Sequence, residues 1–190
     1  RKGVSHFLLT SSGAVYGPQP PNLMMMPESH TGAPSVRNVS EAYGNGKRAA
    51  EWLTCAYAAQ DNMKTVIARI FALIGPGMPL NGGFAAGNFI RDALGHSPII
   101  VQGDGRDVRS YLYSADLCIW LLRLLEAGES GEVYNVGSED ALSIQELANQ
   151  VRQTAGLPNP VEIRRPTNLQ TPPPRYVPDT SKARQLSLIH

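Results

Sequence analysis

Cysteine, net charge and long apolar segments are all scarce in this chain of 190 residues. Its 2 Cys show no CxxC or Cys/His spacing, which argues against a disulfide framework and against a zinc site. Cys55 and Cys118 each lie in an apolar segment with helical character, and we expect both to be buried core thiols. Because 17 Lys+Arg balance 16 Asp+Glu, the net charge of +1 provides no bulk attraction to nucleic acid or to an anionic membrane.

The apolar segments are too short to cross a bilayer. The longest one, 117–125, is interrupted by Arg123 and is far below the roughly 20 residues of a transmembrane helix. The first residues include basic side chains but no apolar stretch of signal-peptide length. We therefore expect a protein of a reducing compartment, the cytoplasm, with neither a membrane nor nucleic acid as its partner.

What the chain does contain is an alternation of short strands and helices. Residues 7–10 form a continuous apolar run, which is typical of a strand buried on both faces of a parallel sheet. Residues 40–60 are rich in Ala, Glu, Lys and Arg and predict a helix with Ser40 as its N-cap. A β-branched strand follows at 65–71. This strand–helix–strand succession favours a right-handed parallel crossover and an α/β fold.

A Gly/Pro-rich loop after residue 74 is where we place a domain boundary, between 1–74 and 75–190. Ser143 and Glu146 have the spacing of a capping box, and Ser114 is expected to cap another helix. The pattern beyond the loop predicts helices at 87–94, 114–127 and 143–156, strands at 99–102, 109–113 and 133–136, and a terminal helix opened by Asp179.

Tyr43 and Lys47 are the first candidates for chemistry. They are four residues apart on a predicted helix, so their side chains share one face. A free phenol has a pKa of about 10, and a nearby ammonium lowers that pKa toward the range of efficient acid–base catalysis. Ser12 ends the first buried strand, where open α/β sheets place ligand contacts. Its hydroxyl could instead satisfy nearby backbone in a turn, and Tyr-x-x-x-Lys by itself arises by chance in many chains.

Two longer segments are more specific. Residues 10–17 (TSSGAVYG) and 41–51 (EAYGNGKRAAE) resemble the active-site segments of the extended short-chain dehydrogenases, and more narrowly of the NAD-dependent nucleotide-sugar epimerase/dehydratase family. Further similar segments follow in the family's order, so the resemblance covers essentially the whole chain. They are 69–77 (RIFALIGPG), 103–117 (GDGRDVRSYLYSADL), 133–137 (VYNVG) and 179–183 (DTSKA).

The resemblance implies roles for the residues at the strand ends. Tyr43 would be the acid/base, and Lys47 would lower its pKa and bind the nicotinamide ribose. Ser12 would orient the sugar hydroxyl, while Ser11 and Ile70 would also contact the cofactor. The implied cofactor is NAD, with NADP as an alternative, since the residue that selects between them lies outside this sequence.

The resemblance also implies a nucleotide-activated sugar as substrate. Arg109 would bind its diphosphate, since a guanidinium suits paired phosphate oxygens. Gln102 lies next to the expected base-binding turn, and Arg165 and Tyr176 fall near positions that help to hold the nucleotide. Ordinary solvated charge is the alternative for the arginines near the C-terminal end.

The implied architecture is a partial Rossmann-like parallel sheet with a smaller α/β substrate-binding lobe. Residues 1–74 would be the C-terminal part of the NAD(P)-binding domain, and 75–190 would mainly bind substrate, with 133–136 returning to the main sheet. In the family the Tyr43-bearing helix often packs in a homodimer, which would use Trp52 and Tyr57, although core packing is the alternative for both.

Three departures from the family pattern bear on activity. The chain contains no G-x-x-G-x-x-G loop, so on its own it is expected to bind NAD poorly. Gly13 and Ala14 stand where 4,6-dehydratases carry an Asp-Glu pair and where decarboxylases tend to carry Glu at the second place. Ala72 stands where many members have Asn. These residues favour 4-epimerase-type chemistry or a 4-keto reductase over a dehydratase, with a non-catalytic binding module on the same fold as the alternative.

Overall fold

The computed structural model describes residues 3–61, 63–167 and 169–188. It contains five helices and ten short strands within those ranges. The helices are α1 Ala42–Asp61, α2 Ala85–Leu94, α3 Ser114–Ala127, α4 Ile144–Thr154 and α5 Ser181–Arg184. The strands are β1 His6–Ser12, β2 Lys64–Ile70, β3 Leu73–Ile74, β4 Ile100–Val101, β5 Val108–Arg109, β6 Leu112–Tyr113, β7 Val133–Val136, β8 Leu142–Ser143, β9 Glu162–Ile163 and β10 Arg175–Tyr176.

The main sheet has the order β1-β2-β7, and both pairings are parallel. β1 and β2 run in register from the His6–Lys64 pair to the Ser12–Ile70 pair, and β7 lies on the other side of β2. The apolar runs at 7–10 and 65–71 therefore form adjacent parallel strands, and 133–136 lies in the same sheet although it comes much later in the chain.

Helices cover both faces of this sheet. Val66 and Ala68 of β2 point to one face, where they pack with Trp120 and Leu124 of α3 in a fully buried apolar core. Arg69 alternates to the other face, where α1 lies. The result is an α/β/α arrangement that brings the carboxyl ends of β1 and β2 to one edge, where α1 begins.

The second lobe is built on α2 and α4. Phe89 of α2 and Leu147 of α4 pack with Ile99 and Val101 in a separate buried cluster. α4 begins with the expected capping box, since the Ser143 hydroxyl accepts from Glu146 N (3.1 Å) and Ser143 N donates to Glu146 Oε2 (2.7 Å). Hydrogen bonds from the Ser143 backbone and side chain hold the pKa of Glu146 below its usual value.

Several local predictions are corrected. The expected strand 109–113 is split, because β5 pairs with β8 and β10 whereas β6 pairs with β3. The buried Ser110 lies at the change from one sheet to the other. Ser40 is not the N-cap: Asn38 accepts from Ser40 N and begins a short 3-10 turn before α1. Ser114 is the first residue of α3, and Tyr113 is its N-cap without a side-chain hydrogen bond.

The prediction that both cysteines are buried is wrong. Cys55 and Cys118 are free and exposed. Each lies on the outward side of a helix whose outward side is itself apolar, so helical spacing of apolar residues could not identify the buried face. Throughout the described ranges, no helix combines the length and the hydropathy that crossing a membrane requires.

Candidate active site

The first turn of α1 is brought unusually close to the end of β1. A Cβ at Gly44 would lie 2.6 Å from the carbonyl oxygen of Ala14, so only glycine allows this approach. Arg48, one turn later, donates to the carbonyl oxygens of Val15 (3.3 Å) and Gly32 (3.0 Å). These contacts fix the helix start against the turn that follows β1.

Tyr43 and Lys47 share one side of this helix, as their spacing predicts. Lys47 Nζ donates to the carbonyl oxygen of Thr10 (2.7 Å) and lies 5.8 Å from the centroid of the Tyr43 ring. Tyr43 is 61% exposed. The ammonium is therefore held at the carboxyl end of β1, with the phenol beside it and open to a ligand.

Ser12 is buried, and its Oγ accepts a hydrogen bond from Ala14 N (3.2 Å). It caps the 3-10 turn at Gly13–Tyr16. The alternative that the Ser12 hydroxyl satisfies nearby backbone is therefore correct for its role as a hydrogen-bond acceptor. A hydroxyl that accepts from backbone still has its proton to donate. Ser12 can therefore cap the turn and donate to a second oxygen.

Tyr176 lies beside Ser12, with which it is hydrogen-bonded. Burial raises the pKa of Tyr176 to about 12, against the lowering effects of a hydrogen bond with Ser12 and of the positive charge of Arg109. Tyr43 also interacts electrostatically with this phenol. A Cβ at Gly13 would lie 2.7 Å from the Tyr176 hydroxyl, so the small residue makes room for it. Tyr176 remains a neutral hydrogen-bond donor at neutral pH, and we refer to it with the two residues it interacts with as the Ser12–Tyr43–Tyr176 group.

Arg109 lies beside Tyr176 because β5 and β10 pair in parallel with these two residues in register. Its guanidinium donates to the carbonyl oxygen of Val108 (2.8 Å) and to Asp107 Oδ2 (3.4 Å). The side chain is 29% exposed, so the contact with Asp107 is open to exchange for another anion.

Gln102 and Arg165 lie elsewhere, on a cavity of about 570 Å³ in the second lobe. Its apolar wall includes Phe89 and Ile144, and Asp107 is on its border. Since Asp107 also contacts Arg109, the cavity and the Ser12–Tyr43–Tyr176 group lie on either side of one ion pair. Volumes of this size accommodate small organic ligands.

Ser11 and Ile70 use their side chains within the protein. The Ser11 hydroxyl donates to Glu51 Oε1 (2.5 Å), and Ile70 packs against the core that contains Trp120. Both residues lie at carboxyl ends of strands, as the sequence predicts. Their backbone remains at the edge where Lys47 binds.

Glu51, Arg69 and Phe71 were not among the predicted site residues. Arg69 donates twice to Glu51, through Nε (2.9 Å) and Nη2 (2.7 Å), and Phe71 packs 4.5 Å from the Tyr176 ring, centroid to centroid. A signal for Glu51 was present, since it follows Lys47 by one helical turn. Nothing in the sequence pairs Arg69 with it. Among the described residues there is no group of three or more His, Cys, Asp or Glu that could hold a metal ion.

The chain matches a known family over more than half of its length. Residues 1–137 match the family model described as the NAD dependent epimerase/dehydratase family, and the chain belongs to that family. The expected partial Rossmann-like sheet is confirmed by this match and by the solved structures described next.

Individual relatives give a finer comparison. The chain is 36% identical over 184 residues to UDP-glucuronic acid decarboxylase 4 of Arabidopsis thaliana, covering 96% of this chain and 40% of the relative. UDP-glucose 4-epimerase of Thermotoga maritima, solved with UDP-glucose, superposes with a TM-score of 0.84 at 23% identity, covering 97% of this chain and 58% of that one. UDP-glucuronic acid 4-epimerase of Bacillus cereus, solved with NAD, has a TM-score of 0.78 at 25% identity, covering 96% and 55%. The chain therefore spans about half the length of the proteins it matches.

Proposed function

We propose that this chain carries the catalytic groups and the substrate-binding lobe of an NAD(P)-dependent enzyme acting on C4 of a nucleotide-activated sugar. The observation that supports this most is the position of the Lys47 ammonium 5.8 Å from the centroid of the Tyr43 ring, together with Tyr176, which is hydrogen-bonded with Ser12 and interacts electrostatically with Tyr43. In this proposal residues 1–74 supply the catalytic side and 75–190 mainly the substrate side, with β7 completing the main sheet.

The proposed roles follow from position. Tyr43 takes the proton of the C4 hydroxyl and returns it, and Lys47 stabilises the phenolate that forms. Ser12 donates to the same sugar oxygen and holds it near Tyr43. NAD bound beside Lys47 would supply the hydride acceptor and donor that oxidation and re-reduction at C4 require. The residues present fit the nicotinamide-ribose end of that cofactor, because the Lys47 ammonium is already held at the strand edge, 2.7 Å from a carbonyl oxygen.

The substrate would extend from this group into the second lobe. The nucleoside occupies the 570 Å³ cavity lined by Gln102 and Arg165. The diphosphate takes the place of Asp107 on Arg109, which lies between cavity and hydroxyl groups. UDP-glucuronic acid is the first substrate to test, since the Arabidopsis relative and the Bacillus structure are both named for it.

The two residues that follow Ser12 indicate the type of reaction. Gly13 and Ala14 cannot transfer a proton, and the space at Gly13 is filled by Tyr176 and Phe71. Eliminating water needs an additional acid and base, so 4-epimerisation or 4-keto reduction fits better than dehydration. Decarboxylation is the second candidate, supported by the 36% identity to a decarboxylase. Oxidising C4 of a glucuronic acid yields a β-keto acid, which loses CO2 without help from an additional carboxyl group.

The experiment uses the longest natural form of the protein, NAD or NADP, and UDP-, dTDP-, GDP- and CDP-sugars. We expect a product of unchanged mass with inverted C4, detected by NMR and mass spectrometry. Loss of CO2 from UDP-glucuronic acid would instead establish the decarboxylase, and loss of water would contradict the argument from Gly13 and Ala14. Binding of a nucleotide sugar without turnover would leave the binding module as the function.

We further propose that α1 packs against a second copy of the chain in the cytoplasm. Its outward side carries Trp52, Leu53 and Tyr57, which are 70%, 48% and 55% exposed. Apolar side chains of this size on one helix face are typical of an interface. Two free, exposed cysteines fit a reducing compartment.

A further inference from the structure

The side of α1 that faces the sheet is polar. Glu51 and Thr54 are buried there, and Lys47 bonds the carbonyl oxygen of Thr10 on the same side. Large apolar residues such as Trp52 lie on the opposite side. A surface helix normally shows the reverse pattern. Directional polar contacts, rather than apolar area, therefore hold this helix on the sheet.

Glu51 is the centre of those contacts. Its Oε1 accepts from the Ser11 hydroxyl (2.5 Å) and from Arg69 Nε (2.9 Å), and its Oε2 accepts from Arg69 Nη2 (2.7 Å). We call Ser11, Glu51 and Arg69 the brace. It joins α1 to β1 and β2, one residue before each strand ends.

Tyr16 packs against the brace and connects it to β7. The Arg69 guanidinium carbon lies 4.5 Å from the centroid of the Tyr16 ring, and the Tyr16 hydroxyl donates to Asn135 Oδ1 of β7 (2.8 Å). Burial acts to lower the pKa of Arg69, but hydrogen bonds with Glu51 and Tyr16 raise it instead, so the guanidinium stays charged. A buried ion pair typically stabilises a fold no more than well-packed apolar residues would. Its paired hydrogen bonds, however, form in only one arrangement of the helix relative to the strands.

We propose that Glu51 is a positioning residue for the candidate active site: through Ser11 and Arg69 it sets the register of α1 so that Lys47 reaches Thr10. Lys47 is one helical turn before Glu51, and a shift of one residue would rotate its side chain by about 100°. The expected effect of Glu51 on turnover rests on the proposed function, whereas its expected effect on the position of Lys47 does not.

The test separates position from stability with three variants. Ser11→Ala/Glu51→Leu/Arg69→Met removes the brace and leaves none of its polar atoms buried without a partner. Glu51→Gln keeps the shape and removes the charge. Thr54→Val is the matched control, because Thr54 is buried on the same side of α1 but its hydroxyl donates within its own helix, to the carbonyl oxygen of Ala50.

The readout is amine labelling of the folded 190-residue chain, followed by peptide mass spectrometry. Lys64, which donates to the carbonyl oxygen of Glu126 far from the brace, is the internal reference. We expect the Lys47/Lys64 labelling ratio to rise at least about fivefold in the triple variant, because Lys47 is released from Thr10 in a protein that still unfolds cooperatively. Glu51→Gln should raise the ratio about twofold, and Thr54→Val should leave it unchanged.

An unchanged ratio in a folded triple variant would overturn the proposal. If the triple variant does not fold, an unchanged labelling ratio in folded Glu51→Gln would overturn the proposal instead. In the longest natural form, Glu51→Gln should lower kcat with little change in KM, whereas a purely structural role would lower the amount of active protein only. Full turnover in Tyr43→Phe would end the proposed function, yet the labelling ratio would still decide whether Glu51 positions Lys47.

Discussion

At the scale of single residues, four side chains carry the proposed chemistry. Tyr43 and Lys47 are adjacent because of helical spacing, and Gly44 lets their helix approach the turn that Ser12 caps. Tyr176 arrives from a distant strand and fills the space that Gly13 leaves open. The group contains two phenols of different exposure, since Tyr43 is exposed and Tyr176 is half-buried.

Tyr43→Phe tests the exposed phenol. Turnover of a nucleotide sugar should fall by about 10²–10⁴-fold, because proton transfer to the C4 oxygen is lost while the ring remains. Steady-state kinetics on the longest natural form would show it, with thermal unfolding as the control for folding. Near-normal turnover in a folded variant would remove Tyr43 from the mechanism.

Tyr176→Phe tests the half-buried phenol through pH. Because burial raises the pKa of Tyr176 to about 12, the unfolded chain loses this proton at lower pH than the folded protein. The contribution to stability is therefore fully present below about pH 10 and is lost as the pH rises through about 12. Urea unfolding from pH 9 to 12 should show a decline that is smaller in Tyr176→Phe. An equal decline in both proteins would show that the phenol titrates normally.

At the scale of secondary structure, α1 is the element on which the site depends. It begins after a 3-10 turn capped by Asn38, contains two glycines in its first two turns, and keeps its polar side toward the sheet. Gly44 meets backbone, whereas a Cβ at Gly46 would meet nothing within 4 Å. The two glycines therefore serve different purposes.

Substituting the two glycines separately should give opposite results. Gly46→Ala should raise the free energy of unfolding by about 0.5–1 kcal/mol, since glycine weakens a helix interior. Gly44→Ala should lower it by about 1–3 kcal/mol, because the added methyl would press on the Ala14 carbonyl. Urea denaturation of both variants measures this. Destabilisation by Gly46→Ala would show that the exposed side of this turn is occupied.

At the scale of the whole molecule, the proposed function assigns chemistry and recognition to different units. The main sheet carries Ser12 and, through α1, Tyr43 and Lys47, while the cavity is lined entirely by residues between Gly83 and Thr171. Arg109 and Asp107 lie where the two meet. An elongated substrate with an anionic centre fits this arrangement, since each of its parts would have its own surface.

Association of the chain is the prediction at this scale. Trp52→Glu should weaken a dimer formed through α1 by about 30-fold or more, because a buried aromatic anchor would become a desolvated charge. Sedimentation velocity over a range of concentrations would measure it. Leu94→Glu is the control, since Leu94 is equally exposed, at 71%, but lies on α2. A wild-type chain that is monomeric at every concentration would contradict the interface.

The sequence by itself determined the local features. The shared face of Tyr43 and Lys47, the capping box at Ser143 and the parallel crossover follow from periodicity and from hydrogen bonds between near neighbours. The family's motifs located the strand end at Ser12 in the same way. Such features need only a few consecutive residues, so the sequence states them directly.

Only the tertiary structure decided how distant segments meet. It brought Tyr176 to Ser12, joined Glu51 to Arg69, divided 109–113 between two sheets, and turned Cys55 outward. Each of these depends on which elements pack together, and an apolar or polar residue type does not specify its distant partner. For the same reason the cavity around Gln102 and Arg165 became visible only once α2, α4 and the later loops were in place.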